Sequence, residues 1–309
     1  MINFSFTITP LLRSELTKIE ETRNKILVEL ISREEELTLR FEANLDRVTF
    51  SSRLTDKKLK RQEALDIINP FDKDKTTTDP ENAGYVKAFE WINQKWFMNN
   101  HKVETNDIKK IYGFFPKRIQ IDETQLRTTL DFIQINPEHP VVQAGIVFIL
   151  FSQALPNDDK NIKLSLIASN IFLYKRGYDF RGLLDIEEFL TSDLDHFRQL
   201  LDHAKQDRNL SSFLEYFTQA VSISAETALK KIKEREIKHD LPAYYYALTE
   251  RQKEILTLFA KPNVKITNRT VQNAFKISQI TASRDLSKLY SLGLIFSAGK
   301  GRSVYYTSI

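Results

Sequence analysis

The stretch HPVVQAGIVFILFSQALPNDDKNIKLSLIASNIFLYKRG, residues 139–177, decides the fold class. Pro140 stands where a first helical turn has no use for an N–H, so His139-Pro140 opens a helix. Val142 to Leu155 is hydrophobic almost all round, which puts that helix at the centre of a core. ALPNDDKN (154–161) interrupts it through Pro156 and Asn157, and IKLSLIASNIFLYKRG (162–177) resumes the helical pattern until Gly177 stops it. Two buried helices flanking a short polar loop are the expected centre of the molecule.

Working outward, Leu12, Leu16, Ile19, Ile26, Leu30, Leu37 and Phe41 recur at helical spacing with Glu, Lys and Arg between them. They predict two amphipathic helices meeting near Ser32. NPFDKDKTTTDPENAG (69–84) reads as a loop, and a helix from about Tyr85 to Asn99 buries Ala88, Trp91, Ile92 and Trp96 or Phe97. Helical texture continues through 185–205 and 208–235, and Asp240-Leu241-Pro242 marks a boundary. The expected organisation is an N-terminal helical region (1–70), a helical core (71–240) and a small C-terminal domain (241–309), mainly α throughout.

Composition agrees. Only 8 of the 309 residues are glycine, where the usual ~7% would give about 22, and helix formers take their place. The absence of cysteine excludes disulfides, thiolate nucleophiles and Cys-ligated zinc. His196 and His203 stand seven apart on a helical pattern, without the further ligands a metal site needs, and read as surface or helix-end residues. The start, MINFSFTITPLL, lacks a basic leader, and the apolar run 144–151 is far short of the ~20 residues of a span, so a cytoplasmic protein with no membrane partner is expected. No P-loop, GxSxG, HExxH or dinucleotide fingerprint occurs.

Charge is unevenly placed. Residues 248–309 hold ten basic and three acidic residues, a net of +7, whereas residues 1–247 hold 35 basic and 38 acidic, a net of −3. A basic terminal block on a nearly neutral body is the distribution of a small domain that meets a polyanion. Within it, Leu248–Ala260 forms a helix after a Thr249 cap, NRTVQNAF (268–275) a second capped by Asn268, and Ser278 caps a third. Ala282, Leu286 and Leu289 face the core of that third helix, leaving Thr281, Arg284 and Lys288 outward. After Gly293 the pattern switches to period two, with GKGR (299–302) as a turn between short strands.

Three helices and a basic hairpin resemble the winged helix-turn-helix of bacterial transcription regulators, over about 60 residues. The resemblance implies that Ser278, Gln279, Thr281, Arg284 and Lys288 approach duplex DNA, with Lys300 and Arg302 on the wing beside its backbone. Docking to a protein is the alternative use of such a module. A homodimer would set two of them on two half-sites.

The order of elements over about residues 12–235, with LYKRGYDFRGLL (173–184), resembles the Fic (Fido) family of nucleotidyl transferases. In that family the loop reads His-Pro-Phe-x-(Asp/Glu)-Gly-Asn-Gly-Arg-x-x-Arg. The His serves as general base, the acid holds magnesium, the glycines form an anion nest and the arginines hold the triphosphate. Here the loop matches only at Pro156, Asp159 and Asn161: Leu155 replaces the base, Lys160 and Ile162 the glycines, Lys163 and Leu166 the arginines. The family's inhibitory Ser-x-x-x-Glu-Gly finds Ser51, but Thr55 and Asp56 stand where Glu and Gly belong. The resemblance therefore implies a catalytically inactive Fic-like protein without a cofactor, acting through DNA. The alternative is an altered transferase that moves AMP from ATP to a protein hydroxyl, with Asp159 and Asn161 on nucleotide or magnesium and Lys163 on phosphate.

Overall fold

The computed structural model describes residues 4–55, 57–68, 79–116, 122–135, 138–154, 159–234, 248–259, 264–292, 294–299 and 304–307. The chain divides into two compact units, Met1–Arg235 and Glu236–Ile309.

The first unit is helical. Helices α1 (Pro10–Val28) and α2 (Arg33–Arg53) meet at Ser32, whose hydroxyl accepts from Glu35 N while the Glu35 carboxylate accepts from Ser32 N. Then come α3 (Arg61–Ile68), α4 (Pro80–Trp96), α5 (Thr105–Tyr112) and α6 (Glu123–Ile135). The central pair is α7 (Pro140–Ala154) and α8 (Asp159–Tyr174), followed by α9 (Glu187–Ser192), α10 (Leu194–Asp207) and α11 (Ser211–Glu234). Helices α7 and α8 pack along each other, and α1 lies along α11, so the first and last helices of the unit share its core. The all-round apolarity of α7 is used in full. Val141 and Val142 and every residue from Ala144 to Ser152 are buried, and Phe148 packs on Phe197, Phe213 and Phe217 with ring centroids 5.5–6.2 Å apart. Gly177 leaves α8 in a left-handed turn at φ 72°.

Two expectations need correction here. Residues 80–84 are not loop: Asp79 accepts from Asn82 N at 3.2 Å, Pro80 takes the first turn, and α4 begins five residues before Tyr85. A Cβ on Gly84 would lie 2.5 Å from the Phe114 carbonyl oxygen, so only glycine lets α4 approach the end of α5 this closely. Asp159 and Asn161 are not loop either, because α8 already runs from Asp159. Only 155–158, outside the described residues, stand between α7 and α8. Residues 69–78 and Asp240-Leu241-Pro242 likewise lie outside the described residues.

The second unit places α12 (Glu250–Thr257), α13 (Asn268–Phe275) and α14 (Gln279–Ser291) before an antiparallel hairpin of β1 (Phe296–Ala298) and β2 (Tyr305–Thr307). The register pairs Phe296 with Thr307 and Ala298 with Tyr305. Helix α12 starts at a Thr249/Gln252 capping box and α14 at Ser278. The cap of α13 is Thr267, not Asn268, because a cap needs the extended backbone that Thr267 has, while Asn268 is already helical. Ile266 also exchanges both backbone hydrogen bonds with Tyr306, at 2.8 and 2.7 Å, so the segment before α13 extends the hairpin. Among the described residues, no helix is long and apolar enough to cross a membrane.

Candidate functional site: a buried polar chain and an exposed basic helix

The loop after α7 begins the first site. Leu155 and Pro156 lie outside the described residues, as do the side chains of Asp159 and Lys160. Asn161 is buried in the first turn of α8, and its backbone carbonyl accepts from Ser165 Oγ at 2.8 Å. Lys163 is fully buried: its Nζ donates to Asn82 Oδ1 at 2.9 Å and lies 3.5 Å from Glu81 Oε1. Asn82 Nδ2 in turn donates to Asp79 Oδ2 at 2.9 Å, and Lys57 Nζ donates to the same oxygen at 3.2 Å. Lys57 follows α2, where the Ser52 hydroxyl donates to the Lys57 carbonyl and accepts from Leu59 N. A continuous polar chain thus runs Lys57–Asp79–Asn82–Lys163, ending on Glu81.

Burial drags the Lys163 ammonium down to about 8, against Glu81 and Asp79, which hold it up. For Asp79, burial works to raise the carboxyl, yet the Asn82 N–H and the Lys57 ammonium outweigh it and keep it below its ordinary value. Ser51, fully buried, donates to Val48 O, and Thr55 Oγ1 donates to Ser52 O at 3.1 Å, so both hydroxyls are spent within the end of α2.

A second buried group adjoins this chain through Tyr85, whose ring centroid lies 6.0 Å from Lys163 Nζ. Tyr85 donates to Glu187 Oε1, and Arg47, stacked on Phe89, donates to the Leu184 carbonyl. Asp185 is buried beside them; its N–H donates to Ser224 Oγ at 2.8 Å. Burial and then the Glu187 carboxylate push Asp185 well above the usual carboxylate range, with Arg47 opposing. Among the described residues, no group of three His, Asp or Glu is placed to hold a metal ion. His196 and His203 are exposed on α10, and His196 rests edge-on against Tyr216.

Of the two places where the Fic motif has arginines, one holds Lys163, already bonded inside the chain, and the other Leu166, fully buried. The sequence reading missed Glu81, Asn82, Asp79 and Lys57. The Asp79-Pro80-Glu81 run, a cap followed by proline and an acid, was a usable signal for the helix start that gathers three of them.

The second site is the surface of α14. Ala282, Leu286 and Leu289 are fully buried, whereas Ser278, Gln279 and Arg284 are exposed. Thr281 and Lys288 are half-buried, and the Thr281 hydroxyl lies 2.9 Å from that of Ser278 at the cap. Lys300 and Arg302 lie outside the described residues. Asp285 is the buried acid of the helix, accepting from Arg251 Nε at 2.7 Å and Gln252 Nε2 at 2.8 Å, which fastens α14 to α12. Arg269, Lys276 and Arg284 are exposed and make no ion pair among the described residues.

Element order, the buried α7–α8 pair and the helical first unit define a fold class that comparison with solved structures names. A Fic family protein from Desulfovibrio desulfuricans G20 superposes with a TM-score of 0.60 at 14% sequence identity, covering 99% of this chain and 98% of that one. At that identity the likeness is one of fold: the chain has a mainly helical, Fic-like architecture, and the match runs through both units. No family model and no curated protein matches the sequence.

Proposed function

We propose that this is a catalytically inactive Fic-like protein that binds duplex DNA through its C-terminal unit, read as a winged helix-turn-helix with β1 and β2 as the wing. The observation that carries the reading is α14: a core-facing side of Ala282, Leu286 and Leu289, and an outward side that presents Gln279 and Arg284 with Arg269 and Lys276 nearby in sequence. With a net of +7 over residues 248–309, such a surface gains affinity by releasing counterions from phosphates. In this reading α14 enters the major groove, and a homodimer sets two such helices on half-sites one helical turn apart. Internal engagement of Lys163 supports the loss of nucleotide chemistry, since a buried cation hydrogen-bonded to Asn82 and ion-paired with Glu81 is not free to meet a γ-phosphate.

Fluorescence anisotropy of the full chain with a labelled 30-bp duplex tests the reading. Affinity should fall with salt at a log–log slope of several units, about −0.9 per phosphate contacted. ATP radiolabelled at the α-phosphate, with magnesium, should leave no label on protein, since AMP transfer keeps that phosphate and releases the other two as pyrophosphate. Binding that is absent or insensitive to salt would overturn the DNA reading, and transfer of label would overturn the inactive body.

A further inference from the structure

Ile280 is the anomaly of the DNA-facing helix. It is 67% exposed, and among the described residues of the second unit no other large apolar side chain is exposed. The remaining exposed residues of α14 are Gln279, Ser283, Arg284, Ser287 and Ser291, all polar. Ile280 is the second residue of the helix, in the first turn after the Ser278 cap, and Asn268 Nδ2 donates to the Gln279 carbonyl at 3.3 Å, so the backbone presenting it is fixed from two sides. Arg284 follows four residues later on the same face.

Neither water nor phosphate rewards an exposed isoleucine. In the major groove one apolar feature is available to it, the C5-methyl of thymine. Resting on the DNA-binding reading above, we infer that Ile280 is a specificity-determining residue that packs on a thymine methyl, while Arg284, one turn along, supplies the polar contact beside it. The charge complementarity of the +7 unit commits the occupant to duplex DNA. Burying one methyl group corresponds to about a fourfold change in affinity, so the contact sorts sites without dominating binding.

The test selects sites for the full chain from duplexes with a randomised 20-bp core, in parallel for wild type, Ile280→Ala and Ile280→Val. Wild type and Ile280→Val, which keeps branched methyls, should enrich a thymine that Ile280→Ala leaves random, with the other selected positions unchanged. Replacing that thymine by uracil removes only the methyl group; wild type should weaken about fourfold and Ile280→Ala should not change. Circular dichroism of Ile280→Ala should match wild type, since the side chain is exposed. The same thymine enriched by Ile280→Ala, or indifference of wild type to uracil, overturns the inference. Salt-dependent binding with no sequence preference overturns it while leaving the DNA reading standing, and no retained DNA overturns both.

Discussion

Helices α8 and α14 each carry a cation in a position that the sequence marks for a polyanion, and they dispose of it in opposite ways. Lys163 points into the first unit and finds an amide at 2.9 Å and a carboxylate at 3.5 Å, both from α4. Arg284 points out of the second unit and finds no carboxylate at all among the described residues. The only acid in α14, Asp285, is turned inward and satisfied by Arg251 and Gln252. A basic residue matched inside its own chain is part of the fold; one left unmatched on a rigid helix is available to a partner. The contrast between a nearly neutral body and a +7 terminal block repeats this at the scale of the two units.

That contrast is strongest where its removal hurts most. Glu81→Ala strands a buried ammonium and should destabilise the first unit by about 3 kcal/mol, since breaking one side of a buried pair leaves an uncompensated charge. Both tryptophans, Trp91 and Trp96, belong to the first unit, so urea unfolding followed by their fluorescence reports this loss directly. An unmoved midpoint would mean that Lys163 does not depend on Glu81. Asp285→Ala removes the charge-assisted hydrogen bond from Gln252 and should cost the second unit about 2 kcal/mol. Hydrogen exchange of α12–α14 should quicken while the tryptophan transition stays put; a shift of that transition would show that the two units unfold together.

The smallest effect is a slope. The native-state value of Lys163, about 8, lies below the 10.5 of an ordinary lysine, so between these values the unfolded chain binds more protons and stability rises with pH. Wild type should gain about 1.8 kcal/mol between pH 7.5 and 9.5 relative to the double variant Lys163→Met/Glu81→Gln, which has neither charge. Parallel curves for the two proteins would mean that Lys163 is solvated in the native state.

Several helix boundaries were legible from local signals: the junction near Ser32, Pro140, Gly177, Thr249 and Ser278 all act within four residues of themselves. The start of α4 was missed because its first turn, Pro80 to Gly84, holds only Ala83 among apolar side chains, so periodicity had nothing to count and only the Asp79-Pro80-Glu81 cap signal marks it. The polar chain was illegible for a different reason. Asn82 and Lys163 are 81 residues apart, and no local pattern announces that two distant helices will bring an amide to an ammonium. The same holds for Ile266 and Tyr306, whose pairing depends on where the hairpin folds back. Ile280 was visible as an apolar residue, but its exposure follows from the packing of Ala282, Leu286 and Leu289, which settles which side of α14 is left outside.

Asn82 has one neighbour that needs a donor and another that needs an acceptor. Its Nδ2 faces Asp79 and its Oδ1 faces Lys163, so the amide passes between an anion and a cation with each end turned the right way. A carboxylate in its place would repel Asp79, and a leucine would leave both neighbours unanswered. The chain from Lys57 to Lys163 therefore has a direction, like a row of magnets laid pole to pole, and one uncharged side chain sets its polarity.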